Sequence, residues 1–301
     1  MTMKSRILTL LLSTLMCASL IVSSAVSASA AGTASFSVMS YNMKNNKTSF
    51  SSIKSMLQAQ RPAVLGMQEV TNLTWSLVNS NITSLGYSAV RGSYRGTSSL
   101  LEGNECNPIF YKTDLFTLHN SGTFWLSDTP NTQSKYDDSS YYRICTWAVL
   151  EAKSTGDIFI VLNTHFDLTA TARFKQIKVL LNQLVAIERN APRARDNLII
   201  LGDLNLASSN SMFKYITGEG KYNGESNTIT GTRLKSTRYI ATSVTSNSFG
   251  NNYTNPATNP TVDLDHVLVC TAGVSCSKYI VVSDAAGSDH LPVRGTLNLV
   301  S

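Results

Sequence analysis

Histidine is scarce in this 301-residue chain, which has four: His119, His165, His266 and His290. A calcineurin-like binuclear phosphatase needs more imidazoles around its "GD" and "NH" motifs, so the scarcity argues against that class. No G-x-S-x-G elbow occurs, which argues against a serine hydrolase. Beyond residue 30 no apolar run is long enough to cross a bilayer, and no stable membrane anchor is expected. No Pro/Gly-rich linker or internal repeat divides the remainder. Residues 31–301 therefore read as one domain at the large end of the usual range, and as a monomer. A dense Lys/Arg block is also missing.

What is present begins with a leader. Lys4 and Arg6 precede an apolar stretch from Ile7 to Val22, and Ala28-Ser29-Ala30 supplies a small-residue cleavage pattern. The apolar core is too short, and too interrupted by serine and threonine, for a membrane span. Residues 1–30 read as a secretory signal peptide, and the chain as secreted and extracellular. Without Lys4 and Arg6, 23 Lys+Arg face 19 Asp+Glu, a formal charge of +4. That excess suits an anionic substrate and is equally an ordinary solubility feature.

Cys17 leaves with the leader, so Cys106, Cys145, Cys270 and Cys276 are expected in an oxidising compartment. Cys270 and Cys276 flank "TAGVS", where a bridge closing the local loop is expected. Cys106 with Cys145 follows by subtraction. Cys145 sits in the apolar "RICTWAVL", which suits an unpaired buried thiol nearly as well.

Several short apolar runs end in a polar residue: "FSVMSYN" at Asn42, "AVLGMQE" at Glu69, "IFIVLNTHFD" at Asn163, His165 and Asp167, and "LIILGDLN" at Asp203 and Asn205. These runs predict buried strands. Helices are predicted over residues 50–60, 71–80 and along "TARFKQIKVLLNQLVAIE", where Phe174, Ile177, Leu180, Leu181, Leu184 and Ile187 share one face. Taken singly, Asn42 is a turn residue, Glu69 a helix-entry residue, "GDLN" a tight turn and Asp289-His290 a capped turn. Taken together they are not, because chance would scatter polar residues over strand starts, middles and ends. A polar rim at one end of an apolar sheet is where ligand sites are commonly built.

With these residues in place, the chain resembles the endonuclease/exonuclease/phosphatase superfamily, which shares the DNase I-like fold, from Phe36 to Leu299. The motifs stand in the family's order: "SYN", "MQEV", "IFY" with Tyr111, "NTHFD", "GDLN", "LDHVLV" with Asp265, and "SDH". The stretch "SGTFWLSDTP … RICTWAVLEA" looks like an exported branch. The resemblance implies an α/β fold, a four-layer sandwich of two mixed β-sheets flanked by helices. It also implies divalent-metal-dependent hydrolysis of a phosphoester substrate, foremost a phosphodiester such as nucleic acid, as in an endonuclease or exonuclease.

An oxygen-rich donor set without clustered thiolates suits Mg²⁺ or Mn²⁺ better than zinc. By resemblance, Asn42 and Glu69 hold the metal, with Asp289 near it. His290, oriented by Asp265, contacts the phosphate or activates the nucleophile. Asp203 and Asn205 position the attacking water and the phosphate, His165 stabilises or protonates from the opposite side, and Arg143 and Tyr111 steady the phosphate. Glu105 stands six residues before Tyr111, an even spacing that in one strand keeps both on a single face. The resemblance pairs Glu105 with His165, giving two carboxylate–imidazole dyads with Asp265–His290.

Within the same fold, a sphingomyelinase-type phosphodiesterase ranks lower, because no apolar hairpin for lipid insertion is evident. A sugar or inositol phosphate phosphatase is a further alternative. An inactive binding module should have lost metal or histidine positions, and this chain keeps them. His119 is expected on the surface and His266 in packing or solvent, with Trp125 and Trp147 in the core. The leaving group falls to the loops "RGSYRGTSSLLEGN" and residues 127–142, where Arg91, Arg95 and Lys135, with Lys112 nearby, could touch a polyanion.

Overall fold

The computed structural model of the protein describes residues 32–45, 50–96 and 104–300. The leader at residues 1–30 and part of the loop that includes Arg95 lie outside the described residues.

The apolar runs form strands buried on both faces: every residue of Ile158–His165 and of Leu198–Asp203 is buried. Such strands need a covering layer on each side. One sheet has seven strands in the order Ser243–Thr245, Val274–Val281, Val293–Leu299, Ser35–Asn42, Val64–Gln68, Ile109–Lys112, Tyr87–Val90. The other has six, in the order Leu234–Ser236, Asp265–Cys270, Leu198–Asp203, Ile158–His165, Ile144–Ala152, Phe116–Trp125. Both are mixed: Ser35–Asn42 runs parallel to Val64–Gln68 and antiparallel to Val293–Leu299, and Ile158–His165 runs parallel to Leu198–Asp203.

Three apolar layers follow. Val38, Val64, Phe159, Val161, Ile199 and Val293 pack between the sheets. Helices Phe50–Gln60 and Trp75–Thr83 bury Ile53, Met56, Leu57, Val78 and Ile82 in the layer that also holds Met39, Tyr41 and Phe110. Helix Ala170–Asn190 lays its predicted face on the six-stranded sheet, joined by Ser211–Ile216. The four-layer α/β sandwich is the one the resemblance implied. The second helix starts later than expected because residues 71–74 close a turn in which Thr74 Oγ1 accepts from Thr71 N at 3.0 Å.

One polar group crosses the apolar layer between the sheets. Asn163 donates through Nδ2 to Met67 O and Pro108 O, each at 2.8 Å, and accepts from Gln68 Nε2 at 2.7 Å. Gly66 makes room for it, since a Cβ there would lie 2.8 Å from Asn163 Cγ.

Three expectations need correction. The four cysteines are buried free thiols. Cys106 faces the layer under helices Phe50–Gln60 and Trp75–Thr83, whereas Cys145 and Cys270 face the layer under Ala170–Asn190 and Cys276 points between the sheets. The members of each expected pair thus look into different layers. Glu105 and Tyr111 do not share a strand: Glu105–Cys106 pairs with Val70–Thr71, while Ile109–Lys112 belongs to the seven-stranded sheet. The even-spacing argument fails at Asn107-Pro108, where the chain changes sheet. Trp125 and Trp147 are half-buried, not in the core.

Candidate active site

Strand direction brings the polar ends together. Asn42 and Gln68 end the two parallel strands of one sheet, with Glu69 next. His165 and Asp203 end the parallel strands of the other and stand in register, and Asp265 opens the antiparallel neighbour opposite Asp203. Glu69 and Asn205 adopt φ of +60° and +49°, a left-handed backbone that non-glycine residues rarely take outside constrained sites.

Asp203 is the hub. Its Oδ2 accepts from Asn42 Nδ2 at 3.0 Å and lies 3.5 Å from His165 Nε2 and 3.7 Å from His290 Nε2. Its Oδ1 accepts from Asn205 N at 2.9 Å, and Asn205 Nδ2 is anchored on Phe166 O at 2.9 Å. His290 Nδ1 and Asp265 Oδ2 are 2.8 Å apart. Ser288 fixes this segment, donating to Asn42 O at 2.7 Å and accepting from His290 N at 3.1 Å. The serine of "SDH" carried that role in plain view in the sequence, although nothing in its residue type announced it.

Burial sets the charges. It pushes the Asp203 carboxyl up to about 6, with His290 opposing and Asp265 adding to the rise. Burial also works against a charged His290, but the carboxylates of Asp265 and Asp203 outweigh it and raise that imidazole to about 10. His165 lies as near to Asp203 but has no second carboxylate on its other ring nitrogen. Burial and the nearby cations Arg143 and Arg95 hold it well below the usual histidine range, and its Nδ1 is buried without a hydrogen-bond partner.

Glu105 is therefore not the partner of His165. It lies 3.0 Å from Arg95 Nη2, with Arg143 acting on it from farther off. Tyr111 packs between the sheets and is not among the residues lining the cavity. The tyrosine at the cavity is Tyr141, whose ring lies 4.8 Å from Arg95 Cζ and 5.1 Å from Arg143 Cζ. Asp167 holds this segment by accepting from Ser140 N and Tyr141 N at 3.1 and 2.9 Å, and stands 3.9 Å from Arg143 Nε. Arg143 is buried and its Nε makes no hydrogen bond. His266 packs on Phe213 with Nε2 2.7 Å from Leu206 O, and His119 pairs at the surface with Glu151, so neither reaches the cavity.

The cavity, of about 520 Å³, collects Glu69, Glu105, Arg143, His165, Asp203 and His290 in its wall. Glu69 Oε1 accepts from Asn42 Nδ2 at 2.9 Å, Asn42 Oδ1 accepts from Lys44 N at 3.0 Å, and Asp289 is paired with Lys44 Nζ at 2.8 Å. The ligand atoms on this side are oxygens only. Such a set fits a hard divalent cation at Glu69, flanked by Asn42 and Asp289. Asp203, Asp265 and His290 also bring ligand atoms within 4.8 Å of one another. Because Asp265 and His290 are already bonded to each other, that cluster works better as a proton-handling dyad than as an ion cage.

Comparison with known proteins adds the family and the fold. Residues 39–290 match the Endonuclease/Exonuclease/phosphatase family, and the chain belongs to it. No curated protein sequence matches the chain. Among solved structures, an endonuclease/exonuclease/phosphatase family protein from Bacteroides thetaiotaomicron superimposes with a TM-score of 0.73 at 23% identity, over 89% of this chain and 99% of that one. A mannosyl-6-phosphatase from Bacteroides thetaiotaomicron VPI-5482 gives 0.72 at 24% identity, over 88% and 100%. The human Nocturnin catalytic domain, with a bound sulfate anion, gives 0.64 at 19% identity, over 88% and 95%. These likenesses establish the fold.

Proposed function

We propose that the chain is a secreted, Mg²⁺- or Mn²⁺-dependent phosphoric ester hydrolase that cleaves by in-line attack of water. The observation carrying this reading is Asp203 Oδ2, which Asn42, His165 and His290 approach at 3.0, 3.5 and 3.7 Å from both sheets. A carboxylate so placed holds the attacking water and takes its proton as the O–P bond forms. His290, held by Asp265, donates through Nε2 to the phosphoryl oxygens. Arg143, whose Nε has no partner in the protein, supplies a second cationic donor, and neutral His165 serves as a hydrogen-bonding group beside the water. A divalent cation held by Glu69, with Asn42 and Asp289, supplies charge stabilisation to the phosphoryl and leaving oxygens when bound.

The phosphodiesterase or nuclease form and the sugar phosphatase form of this reading share these groups and differ in the leaving group. The activity for which the Bacteroides mannosyl-6-phosphatase is named supports the second form by analogy only. The test is hydrolysis of bis(p-nitrophenyl) phosphate and p-nitrophenyl phosphate by purified protein. EDTA abolishes turnover and Mg²⁺ or Mn²⁺ restores it. Full turnover in chelator overturns the reading. Secretion is tested separately by the mass of exported material, which should lack residues 1–30.

A further inference from the structure

We infer that the ester taken by this site is a monophosphate of an uncharged, hydroxylated ring alcohol, a sugar phosphate in chemical class, and not a stretch of polynucleotide. The inference rests on the phosphoester-hydrolase reading and adds the leaving group to it.

The charge pattern carries the first half. A polynucleotide presents an anion at every nucleotide and needs a run of cations beyond the reacting phosphate. The arginines lining the cavity are Arg95 and Arg143, and each already faces a carboxylate: Glu105 at 3.0 Å and Asp167 at 3.9 Å. On the bordering segments, Lys44 is on Asp289 at 2.8 Å, Lys175 on Asp138 at 3.2 Å and Arg238 on Asp263 at 2.6 Å. Arg91 and Lys135 lie over the rings of Tyr94 and Tyr142. Arg143 Nε, too far from Asp167 for a hydrogen bond, provides with His290 for one phosphate group. Among the described residues the wall adds no second such pair: Arg173, whose Nε is also unpartnered, is turned onto Asn205 O and is not part of the lining. By the same count, a polyphosphorylated ring fits poorly.

The rest of the wall carries the second half. Away from the charged groups the cavity is bounded by Asn45, Asn255, Leu264, Leu168 and Tyr141. Tyr141 and Leu168 are 44% and 58% exposed at the mouth, a small apolar margin of two side chains. Asn255 uses its Nδ2 on Asp289 O at 3.1 Å, which leaves its oxygen for a ligand donor, and Asn45 Oδ1 is a buried acceptor with no donor in the protein. Uncharged amide acceptors beside a small apolar margin match the hydroxyls and the carbon face of a sugar ring.

The experiment compares kcat/KM with saturating Mg²⁺ on a hexose 6-phosphate, glycerol phosphate, inositol hexakisphosphate, a single-stranded oligonucleotide and bis(p-nitrophenyl) phosphate. The hexose phosphate should exceed glycerol phosphate by roughly tenfold and the oligonucleotide should be the poorest. Leu168→Ala and Tyr141→Ala should each lower the hexose-to-glycerol ratio roughly threefold to tenfold, chiefly through KM, while Tyr141→Phe keeps it. An oligonucleotide or diester hydrolysed faster than the hexose phosphate, or a ratio unmoved in both alanine variants, overturns the inference while leaving the hydrolase reading intact. No turnover of any ester with either metal overturns both.

Discussion

Asn42 Nδ2 lies 2.9 Å from Glu69 Oε1 and 3.0 Å from Asp203 Oδ2, so a single amide joins the carboxylates that the two sheets contribute to the site. Asn42 is fully buried. Asn42→Ala leaves both carboxylates without their shared donor and should cost about 1–3 kcal/mol of stability, besides impairing turnover. Denaturant unfolding in EDTA measures the first effect without interference from metal. Unchanged stability would show that the amide is not the tie its distances describe.

The two cavity histidines should be indispensable for different reasons. His290→Ala removes a charged donor and His165→Ala a neutral one, and each should lower kcat by roughly 10²- to 10⁴-fold. Asp265→Asn should act in the same direction as His290→Ala, because the imidazolium loses the carboxylate 2.8 Å from its Nδ1. His119→Ala, at the surface with Glu151, is the control and should stay near wild type. Near-normal turnover in either cavity variant would mean that the catalytic groups are wrongly assembled.

Glu105 gives a pH signature in stability. Burial, only partly offset by Arg95, raises its carboxyl to about 7 from an ordinary 4.5. Below pH 4.5 it is neutral in both folded and unfolded chains. As pH rises the unfolded chain releases the proton first, so the contribution is full at low pH and is lost on passing through about 7. Glu105→Gln cannot titrate. The stability difference, wild type minus variant, should therefore fall by on the order of 3 kcal/mol between pH 4.5 and 8, whatever its sign at the start. A difference independent of pH, from denaturant curves in EDTA, contradicts this account.

The thiols provide a covalent test. Cys106, Cys145, Cys270 and Cys276 face different apolar layers, and burial pushes each thiol's pKa upward. Alkylation without reductant should label all of them in denaturant and few in the native protein. Masses showing any of the four protected in denaturant would restore the expected bridges.

The strands were legible because each apolar run needs cover on both sides, and their polar ends were legible because period-two geometry and strand direction gather them on one rim. That argument reached Asn42, Glu69, His165, Asp203 and Asn205, which the structure places at that rim, while Asp265 came from the resemblance alone. It failed where a partner, not a face, was wanted. Spacing could not show that Glu105 belongs to a separate two-residue strand, that Arg95 and not His165 stands beside it, or that Tyr141 and not Tyr111 reaches the cavity. Arg95 and Tyr141 lie in loops without periodicity, so their meeting is decided by how two distant segments close over the sandwich. The cysteine pairing failed for a related reason: nearness in sequence said nothing about which layer each side chain enters.

Asn163, spanning the dry layer to Met67, Pro108 and Gln68, sits two residues before His165, and Gln68 directly precedes Glu69. Sliding one sheet past the other by a single residue would strand its amide among valines and phenylalanines. The half of the centre that carries Glu69 and the half that carries His165 are thereby locked in alignment well below the rim. Loops above that lock can change length or chemistry without disturbing it.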